Sequence, residues 1–275
     1  MELYKRVNRF LRYLEISQSE LDTIINSIDL QFKSHKKQKV TKRGTLRPNN
    51  FRIINAPLEP LKKIQKKIQY MLDPNGNFSE HYFGGIRKKS NTKNALQHKG
   101  LKYHFLTDLV NCFPSISCRR VYNSLVEIGY SADVSRIITR LTTLDGHIPQ
   151  GTPTSMILCN LALKPMVTEL ADFSEKNNLK FTIYVDDLTF SSSSDFRYKT
   201  QEILRIMISN GLKISREKTH YRTNRATITG IRVTQNYIYP ASYTVAKLSL
   251  SRTLDKRRGL ENYVKGIVKA NNKQA

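Results

Sequence analysis

Two adjacent carboxylates interrupt an apolar segment near the middle of the chain. Asp186 and Asp187 lie within FTIYVDDLTFSS, where apolar and β-branched residues flank them on both sides. The alternation of apolar and polar residues predicts two strands joined by a tight turn near Asp186. A turn of this kind can present both carboxylates to one space, where their charges raise each other's pKa unless cations lie between them. The segment therefore indicates either a site for hard divalent cations or an ordinary turn, in which Asp is favoured.

A third carboxylate, Asp108, occupies a similar position in FLTDLV, an apolar segment that also predicts a strand. If the two strands are neighbours, Asp108 and Asp186 could share two Mg²⁺ ions roughly 3.5–4 Å apart. Such a pair of ions activates an attacking oxygen and stabilises a leaving oxygen. The three carboxylates are therefore compatible with metal-dependent phosphoryl transfer, and ordinary turn aspartates are the alternative.

The overall charge of the 275-residue chain is strongly positive. It carries 46 Lys and Arg against 22 Asp and Glu, a formal net charge of +24. Residues 31–70 contain twelve basic residues and one acid, and residues 216–275 contain thirteen and three, so two basic regions flank a more balanced centre. Because like charges repel one another in the folded state, this imbalance indicates a polyanionic partner.

The sequence shows no signal for a membrane or an oxidising compartment. No apolar run approaches the roughly 20 residues that a membrane span needs, and the first residues lack the apolar stretch of a secretion signal. Cys112, Cys118 and Cys159 have no metal-type spacing with His and cannot all pair, so we expect reduced thiols. These features predict a cytoplasmic protein without a membrane partner.

The pattern along the chain predicts helices mixed with a small number of strands. SQSE at 17–20 has the spacing of a helix capping box, and the apolar residues of LEPLKKIQKKIQYML recur at helical spacing after a basic loop or hairpin. Further helices are expected at about 118–128, 131–144, 153–176 and 195–210, and the end of the chain is helical and basic. Strands are expected in FRIINAP, LKYHFLTDL, LKISREKT, ATITGIRV and YIYP. This arrangement favours an α+β fold in which helices cover one face of a largely antiparallel sheet.

Four motifs in a fixed order carry a resemblance to a known family. DLVNCFPSI, QGTPTSMILCNLAL, YVDD and GLKISREKT resemble the palm motifs of reverse transcriptases over residues 108–219, and FRIINAPLEPLKKIQ resembles the fingers segment of the bacterial enzymes. The element Asn94-Ala95-x-x-His98 is similar to the NAxxH element of retron reverse transcriptases, and ITG at 228–230 is similar to their VTG triplet, with Ile in place of Val. The sequence thus resembles a retron-type bacterial reverse transcriptase.

The resemblance implies a right-hand polymerase with fingers, a palm formed by an antiparallel sheet covered by helices, and a short helical thumb. It divides the chain into N-terminal helices and fingers at 1–100, the palm at 101–232 with some fingers helices inserted, and a short or truncated basic thumb at 233–275. A thumb that recognises an RNA stem-loop would depend on shape, phosphates and 2′-OH groups.

The resemblance also implies a catalytic set. Asp108, Asp186 and Asp187 would form the metal-binding triad for two Mg²⁺ ions, with Asp187 in a supporting part. Lys218 would lie near the pyrophosphate leaving group, where it could donate a proton, although an ordinary surface lysine is the alternative.

A second implied set would bind the incoming nucleotide. Arg52 would grip the triphosphate, because a guanidinium fork suits phosphate oxygens. Phe113 would be a steric gate that excludes the 2′-OH, with a core phenylalanine as the alternative. Gln150 and Gly151 would lie beside the nucleotide and the template, and Gly151 suits close backbone approach to a ligand.

A third implied set would contact RNA. We interpret Asn94 and His98 as shaping the fold or holding structured RNA, not as acid–base catalysts. The thumb would contribute four basic residues, for which a merely solvated helix is the alternative: Arg252, Lys256, Arg257 and Arg258.

The implied function is RNA-directed DNA synthesis in a retron. The partners would be a cognate noncoding RNA and its DNA product, dNTPs, and an associated effector protein in antiviral defence. Priming from a guanosine 2′-OH would give a branched RNA–DNA hybrid. Two alternatives remain open: a reverse transcriptase of a group II intron or a diversity-generating element, and a catalytically silent RNA-binding protein that keeps the palm shape.

Overall fold

The computed structural model describes residues 6–40, 46–72, 78–251 and 253–271. The chain divides into two compact units. The first comprises the described parts of Met1–Lys39, Leu46–Phe78 and Asn111–Lys164, and the second comprises those of Ser79–Val110 and Pro165–Ala275. The two units interleave along the sequence. The expected division into fingers, palm and thumb stays a prediction.

The first unit is mainly helical, with one two-stranded sheet. Its helices are α1 (Val7–Leu14), α2 (Gln18–Asn26), α3 (Leu61–Leu72), α5 (Cys112–Ser115), α6 (Cys118–Glu127), α7 (Ala132–Thr142) and α8 (Ser155–Ala162), and its strands are β1 (Phe32–Val40) and β2 (Leu46–Pro57). The capping box is present, since the Ser17 hydroxyl accepts from the Glu20 backbone N–H and the Glu20 carboxylate accepts from the Ser17 N–H. The predicted apolar stripe of α3 is buried through Leu61, Ile64 and Ile68.

The second unit contains two antiparallel sheets and the helices that cover them. The four-stranded sheet has the order β4-β5-β3-β6, and the three-stranded sheet has the order β7-β8-β9. The strands are β3 (Tyr103–Asp108), β4 (Lys180–Tyr184), β5 (Asp187–Ser192), β6 (His220–Thr223), β7 (Ala226–Ile228), β8 (Ile231–Val233) and β9 (Ile238–Pro240). The helices are α4 (Asn91–Leu96), α9 (Lys164–Lys176, which begins at the unit boundary), α10 (Thr200–Ser209), α11 (Ser242–Ser249) and α12 (Leu254–Asn271).

One apolar cluster joins the small sheet of the second unit to two helices. It contains Ala95 from α4, Ile267 from α12, and residues of β7, β8 and β9 such as Ile228 and Ile231, which are fully buried. Alternation along β8 places Ile231 and Val233 in this cluster and Arg232 on the opposite face. The element NTKNALQH is therefore fixed to the ITG hairpin by packing.

Two expectations about secondary structure are wrong in detail. The single helix expected at 153–176 is two helices that separate at Leu163, because Pro165 lacks the backbone N–H that a continuous helix would need. LKISREKT does not form a strand: Ile214 bridges to Leu109, and Arg216–Lys218 form a 3₁₀-helix. The predicted α+β class with an antiparallel sheet is confirmed. Among the described residues, no helix is both long and apolar enough to span a membrane.

Candidate active site

The three predicted carboxylates meet at one end of the four-stranded sheet. β3 lies beside β5 in antiparallel register, and this register places Asp108 directly opposite Asp187. β4 and β5 are joined by the two-residue turn Val185–Asp186, as the sequence predicts. Ligand oxygens of Asp108, Asp186 and Asp187 all lie within 4.8 Å of one another. Asp108, the most enclosed of the three, is only 4% exposed.

Electrostatic repulsion makes this cluster unfavourable without a cation or a proton. Burial is the largest cause that raises the pKa of Asp187, to about 7, and the charge of Asp186 and a hydrogen bond with Asp108 add to the rise. A divalent cation coordinated by oxygen ligands would remove this repulsion, and three convergent carboxylates are the donor set that such a cation prefers. The cluster can therefore hold a metal.

Lys218 supplies a positive charge to the same site. Its Nζ donates a hydrogen bond of 2.7 Å to Oδ2 of Asp108. The 3₁₀-helix that carries Lys218 is anchored to β3, because the Ser215 N–H donates to the Asp108 carbonyl at 2.8 Å. The lysine side chain is 57% exposed, so it can reach solvent or a bound anion while it contacts the carboxylate.

The turn that presents the aspartates is strained and closely supported. Val185 has φ +61°, which is a rare conformation for a β-branched residue. Gly84, which is buried, packs against this turn: a Cβ at Gly84 would lie 2.5 Å from both Cγ2 and the backbone N of Val185. The chain just before Gly84 also bonds to β4, because the Phe83 N–H donates to the Ile183 carbonyl at 2.9 Å. Only a glycine therefore fits at position 84.

A second tight turn, Thr229–Gly230, joins β7 to β8. It contacts Tyr243, a residue that the charge of Asp187 affects. Gly230 has φ +90°, and a Cβ there would lie 2.6 Å from the hydroxyl of Tyr243. Burial is the largest cause that raises the pKa of Tyr243, and the charges of Tyr263 and Asp187 raise it further. Asp187 therefore lies close enough to Tyr243 to influence its titration.

Two asparagines of α4 hold this second turn. Asn91 Nδ2 donates to the Thr229 carbonyl at 3.2 Å and to the Tyr263 hydroxyl at 2.6 Å. Asn94 Nδ2 donates to the Thr229 hydroxyl at 3.4 Å, a longer and weaker bond. The two elements that resemble NAxxH and VTG are thus one connected structure.

Asn94 and His98, for which the sequence leaves a structural or an RNA-binding role open, are both buried. Asn94 is 1% exposed and His98 is 0% exposed, so neither side chain offers a surface to RNA in this structure. His98 instead bonds through Nδ1 to the Ser191 hydroxyl at 2.6 Å and through Nε2 to the Thr182 hydroxyl at 2.7 Å. Burial lowers the pKa of His98 to about 3, which keeps the ring neutral. Their position supports the interpretation that they shape the fold.

The predicted nucleotide-binding residues all lie in the first unit. Arg52 is exposed on β2, and Phe113 is partly exposed on α5. The carbonyl of Gln150 accepts a 2.7 Å hydrogen bond from the backbone N–H of Asn55 on β2. Gly151 has φ +105°, and a Cβ there would lie 2.7 Å from Cγ2 of Ile54. The contact with β2 therefore requires glycine at position 151. The role of these four residues in nucleotide binding stays a prediction.

The predicted thumb residues lie on an exposed helix. Lys256, Arg257 and Arg258 are exposed in the first turns of α12, and Arg257 Nε forms an ion pair of 3.1 Å with Glu261. Arg252 lies outside the described residues. RNA binding by this helix stays a prediction.

Comparison with known proteins identifies the class. The family model described as "Reverse transcriptase (RNA-dependent DNA polymerase)" matches residues 34–233. This match covers more than half of the chain, and the chain belongs to the reverse transcriptase family.

Within that family the sequence is similar to retron enzymes. It is 29% identical over 209 residues to the retron Mx65 reverse transcriptase of Myxococcus xanthus, a match that covers 68% of this chain and 49% of the relative. It is 27% identical over 227 residues to the retron Ec86 reverse transcriptase of Escherichia coli, covering 81% of this chain and 69% of the relative. The chain thus spans about half the length of the first relative and about two thirds of the second. The predicted resemblance to retron-type bacterial reverse transcriptases is confirmed.

Solved structures with little sequence identity share the fold. An apo telomerase from Candida tropicalis superposes with a TM-score of 0.55 at 11% identity, covering 89% of this chain and 56% of that one. A telomerase from Candida albicans, solved with a fragment of telomeric RNA, gives a TM-score of 0.53 at 13% identity, covering 86% and 51%. These likenesses show the polymerase fold alone.

Several residues that support the site were not identified from the sequence. They are Gly84, Asn91, Tyr243 and Tyr263, and nothing in the local sequence indicates this role. Their importance depends on contacts with residues far away in the sequence, such as that between Asn91 and Tyr263, which are 172 positions apart.

Proposed function

We propose that this protein is an RNA-directed DNA polymerase of a retron. The observation that carries the proposal is the convergence of Asp108, Asp186 and Asp187 within 4.8 Å, with Lys218 bonded to Asp108 at 2.7 Å. The substrates would be dNTPs and the template a cognate noncoding RNA. The sequence similarity to retron enzymes supports the retron assignment.

In the proposed reaction, a primer hydroxyl attacks the α-phosphate of a dNTP. A bond forms between the primer oxygen and the α-phosphorus, the bond from that phosphorus to the oxygen bridging it to the β-phosphate breaks, the primer proton passes to solvent, and pyrophosphate leaves. When bound, two Mg²⁺ ions would activate the attacking oxygen and stabilise the leaving oxygen. Asp108 and Asp186 would hold them, with Asp187 in support, and the exposed ammonium of Lys218 would face the leaving pyrophosphate and give it a proton.

Roles for the nucleotide-binding set complete the proposal. Arg52 would bind the triphosphate, Phe113 would exclude the 2′-OH, and Gln150 with Gly151 would border the nucleotide and the template. The exposed guanidinium of Arg52 on β2 is suited to phosphate oxygens.

The product and the biological setting form the finer part of the proposal. Synthesis would begin at a guanosine 2′-OH of the noncoding RNA and give a branched RNA–DNA hybrid. The complex would act with an effector protein in antiviral defence. Purification of the chain from its native host, followed by sequencing of the bound nucleic acid, tests this part: we expect branched DNA, and linear DNA or none would contradict it and favour an intron or diversity-generating enzyme.

The substitution Asp186→Asn tests the chemistry. It keeps the shape of the side chain and removes one ligand charge, so we expect primer extension to fall by at least about 1,000-fold while RNA affinity stays within about two-fold. Primer extension with Mg²⁺ and fluorescence anisotropy with labelled RNA measure the two effects.

Asp172→Asn is the matched control, because this carboxylate is exposed on α9. It should extend primers as the wild type does. Undiminished extension by Asp186→Asn would contradict the site. A wild-type protein that binds RNA but adds no nucleotide would favour the silent RNA-binding alternative.

A further inference from the structure

Three arginines surround one cavity in the second unit, between the edges of its two sheets. β6 is an edge of the four-stranded sheet, and β7 is an edge of the three-stranded sheet. A short connection through Asn224 and Arg225 joins the two strands. The cavity between them has a volume of about 540 Å³ and is lined by Arg222, Arg225 and Arg232. We call it the arginine cleft.

The strand registers explain why the arginines converge. Arg222 and His220 are two positions apart on β6 and lie opposite His104 and Leu106 of β3. On the small sheet, Arg232 lies opposite Thr227, on the face of the hairpin that points away from the apolar cluster. Alternation thus places His220 and Arg222 on one face of β6, and the pairing of β7 with β8 places Arg232 beside Thr227. All four residues line the cavity.

The charge of the cleft is not balanced by neighbouring acids. Arg222, Arg225 and Arg232 are all exposed, and within the described residues none of them forms a side-chain hydrogen bond or an ion pair. The sequence contains no Asp or Glu from Lys218 to Leu254. Other exposed arginines of this chain are paired, for example Arg136 with Asp133 and Arg205 with Glu202, both within 3 Å.

The lining favours phosphate groups over bases. Besides the three arginines it contains His220 and the hydroxyl residues Thr223 and Thr227, and the apolar contribution is limited to Leu106 and Ala226. Guanidinium groups bind phosphate oxygens in a bidentate manner, and hydroxyl groups add neutral donors. Contacts of this kind position a nucleic acid without reading its sequence.

We propose that the arginine cleft binds the phosphate backbone of the RNA that this polymerase copies. The proposal rests on the proposed function, since that function supplies the RNA. The cleft would contribute a sequence-independent and salt-sensitive share of RNA affinity, separate from the carboxylate site and from the basic helix α12.

The test removes the three charges together. In the variant Arg222→Gln/Arg225→Gln/Arg232→Gln, the Kd for a labelled RNA hairpin should rise about 10-fold or more at 0.1 M KCl. The slope of log K against log salt should become shallower by about 2, since each phosphate contact contributes roughly 0.7–0.9. Because all three side chains are exposed, the melting temperature should not change, and circular dichroism checks this.

The matched control Arg136→Gln/Lys176→Gln/Arg205→Gln removes the same charge from exposed positions elsewhere. It should shift the Kd by less than about two-fold. Equal losses in both variants would show a general effect of net charge and would overturn the proposal, as would an unchanged Kd in the cleft variant.

Two further measurements separate other outcomes. A higher KM for dNTP with unchanged RNA affinity would make the cleft a nucleotide site and would also overturn the proposal. If the wild type fails to extend a primer, the proposed function fails, while the comparison of RNA affinities still decides whether the cleft binds RNA.

Discussion

Two tight turns in the second unit have an unusual backbone conformation, and they differ in the contacts that support it. The turn Val185–Asp186 has positive φ at its first residue, and the turn Thr229–Gly230 has positive φ at both, with Thr229 at +43°. Both place a β-branched residue where such residues are rare. The first turn is supported by shape, since Gly84 packs against it without a Cβ. The second is supported by hydrogen bonds from Asn91 and Asn94.

The difference shows how a site and its surroundings are specified. The turn with Asp186 presents two carboxylates of the cluster, and a contact fixed by backbone atoms leaves it little freedom to move. The turn with Thr229 is held by amide side chains, which tolerate small shifts because a hydrogen bond weakens gradually with distance. One segment, residues 84–94, supplies both supports, so it connects the carboxylate turn to the ITG turn.

The substitution Gly84→Ala should break the first support with the largest effect. The added Cβ would lie 2.5 Å from the backbone N of Val185, so the turn must shift. We expect a loss of about 2–3 kcal/mol in the free energy of unfolding and at least a 100-fold loss of primer extension. Urea unfolding and extension assays measure the two effects.

Two further variants sharpen this result. Gly259→Ala in α12 meets no atom within 4 Å and should not destabilise the protein. Adding Val185→Ala to Gly84→Ala removes the contact with Cγ2 but not that with the backbone N, so rescue should be partial. Full rescue would show that only the side chain of Val185 excludes a Cβ, contrary to the shape argument.

The hydrogen bonds that support the second turn should contribute less to the free energy of unfolding, and substitutions should measure their contributions one by one. Asn91→Ala removes the bonds to the Thr229 carbonyl and the Tyr263 hydroxyl, and we expect a loss of about 1–2 kcal/mol in stability. Tyr263→Phe removes only the second bond. A double-mutant cycle between the two should give a coupling of about 1 kcal/mol.

Asn94→Ala is the informative comparison within the same helix. Its bond to Thr229 is 3.4 Å long, and its Oδ1 finds no partner among the described residues. We therefore expect a smaller effect on primer extension than for Asn91→Ala. The reverse order would mean that the hydrogen bonds seen here do not hold the turn.

The sequence predicted the carboxylate site well for a physical reason. Asp108, Asp186 and Asp187 are charged residues within apolar strands, and such a conflict between pattern and chemistry is visible without a structure. The structure adds the antiparallel register of β3 and β5, which brings Asp108 opposite Asp187. The capping box at Ser17 was equally local, since both of its partners lie within three residues.

The supports could not be predicted because they depend on distant contacts. The role of Gly84 arises from Val185, about a hundred positions later, and that of Asn91 from Tyr263. His98 was expected to shape the fold or hold RNA, and its burial, which supports the first role, is not visible in the sequence. The strand expected in LKISREKT failed for a related reason, because its backbone is used to anchor Lys218 to β3.

His98 gives a pH-dependent effect, because its hydrogen bonds join β4 to β5 within the four-stranded sheet. It bridges Thr182 of β4 and Ser191 of β5, and burial lowers its pKa to about 3. A histidine whose folded pKa lies below its unfolded value of about 6.5 contributes full stability above pH 6.5 and loses it as pH falls towards 3. From pH 7 to pH 5 the wild type should therefore lose about 2 kcal/mol of unfolding free energy relative to His98→Gln. Only the wild type has a histidine at this position, which is neutral in the folded state and becomes protonated in the unfolded state. Urea unfolding at both pH values measures this difference in stability.

The control His35→Gln, at an exposed position of β1, should show no such change relative to wild type. A constant difference for His98→Gln would contradict the prediction that His98 is held neutral in the folded protein.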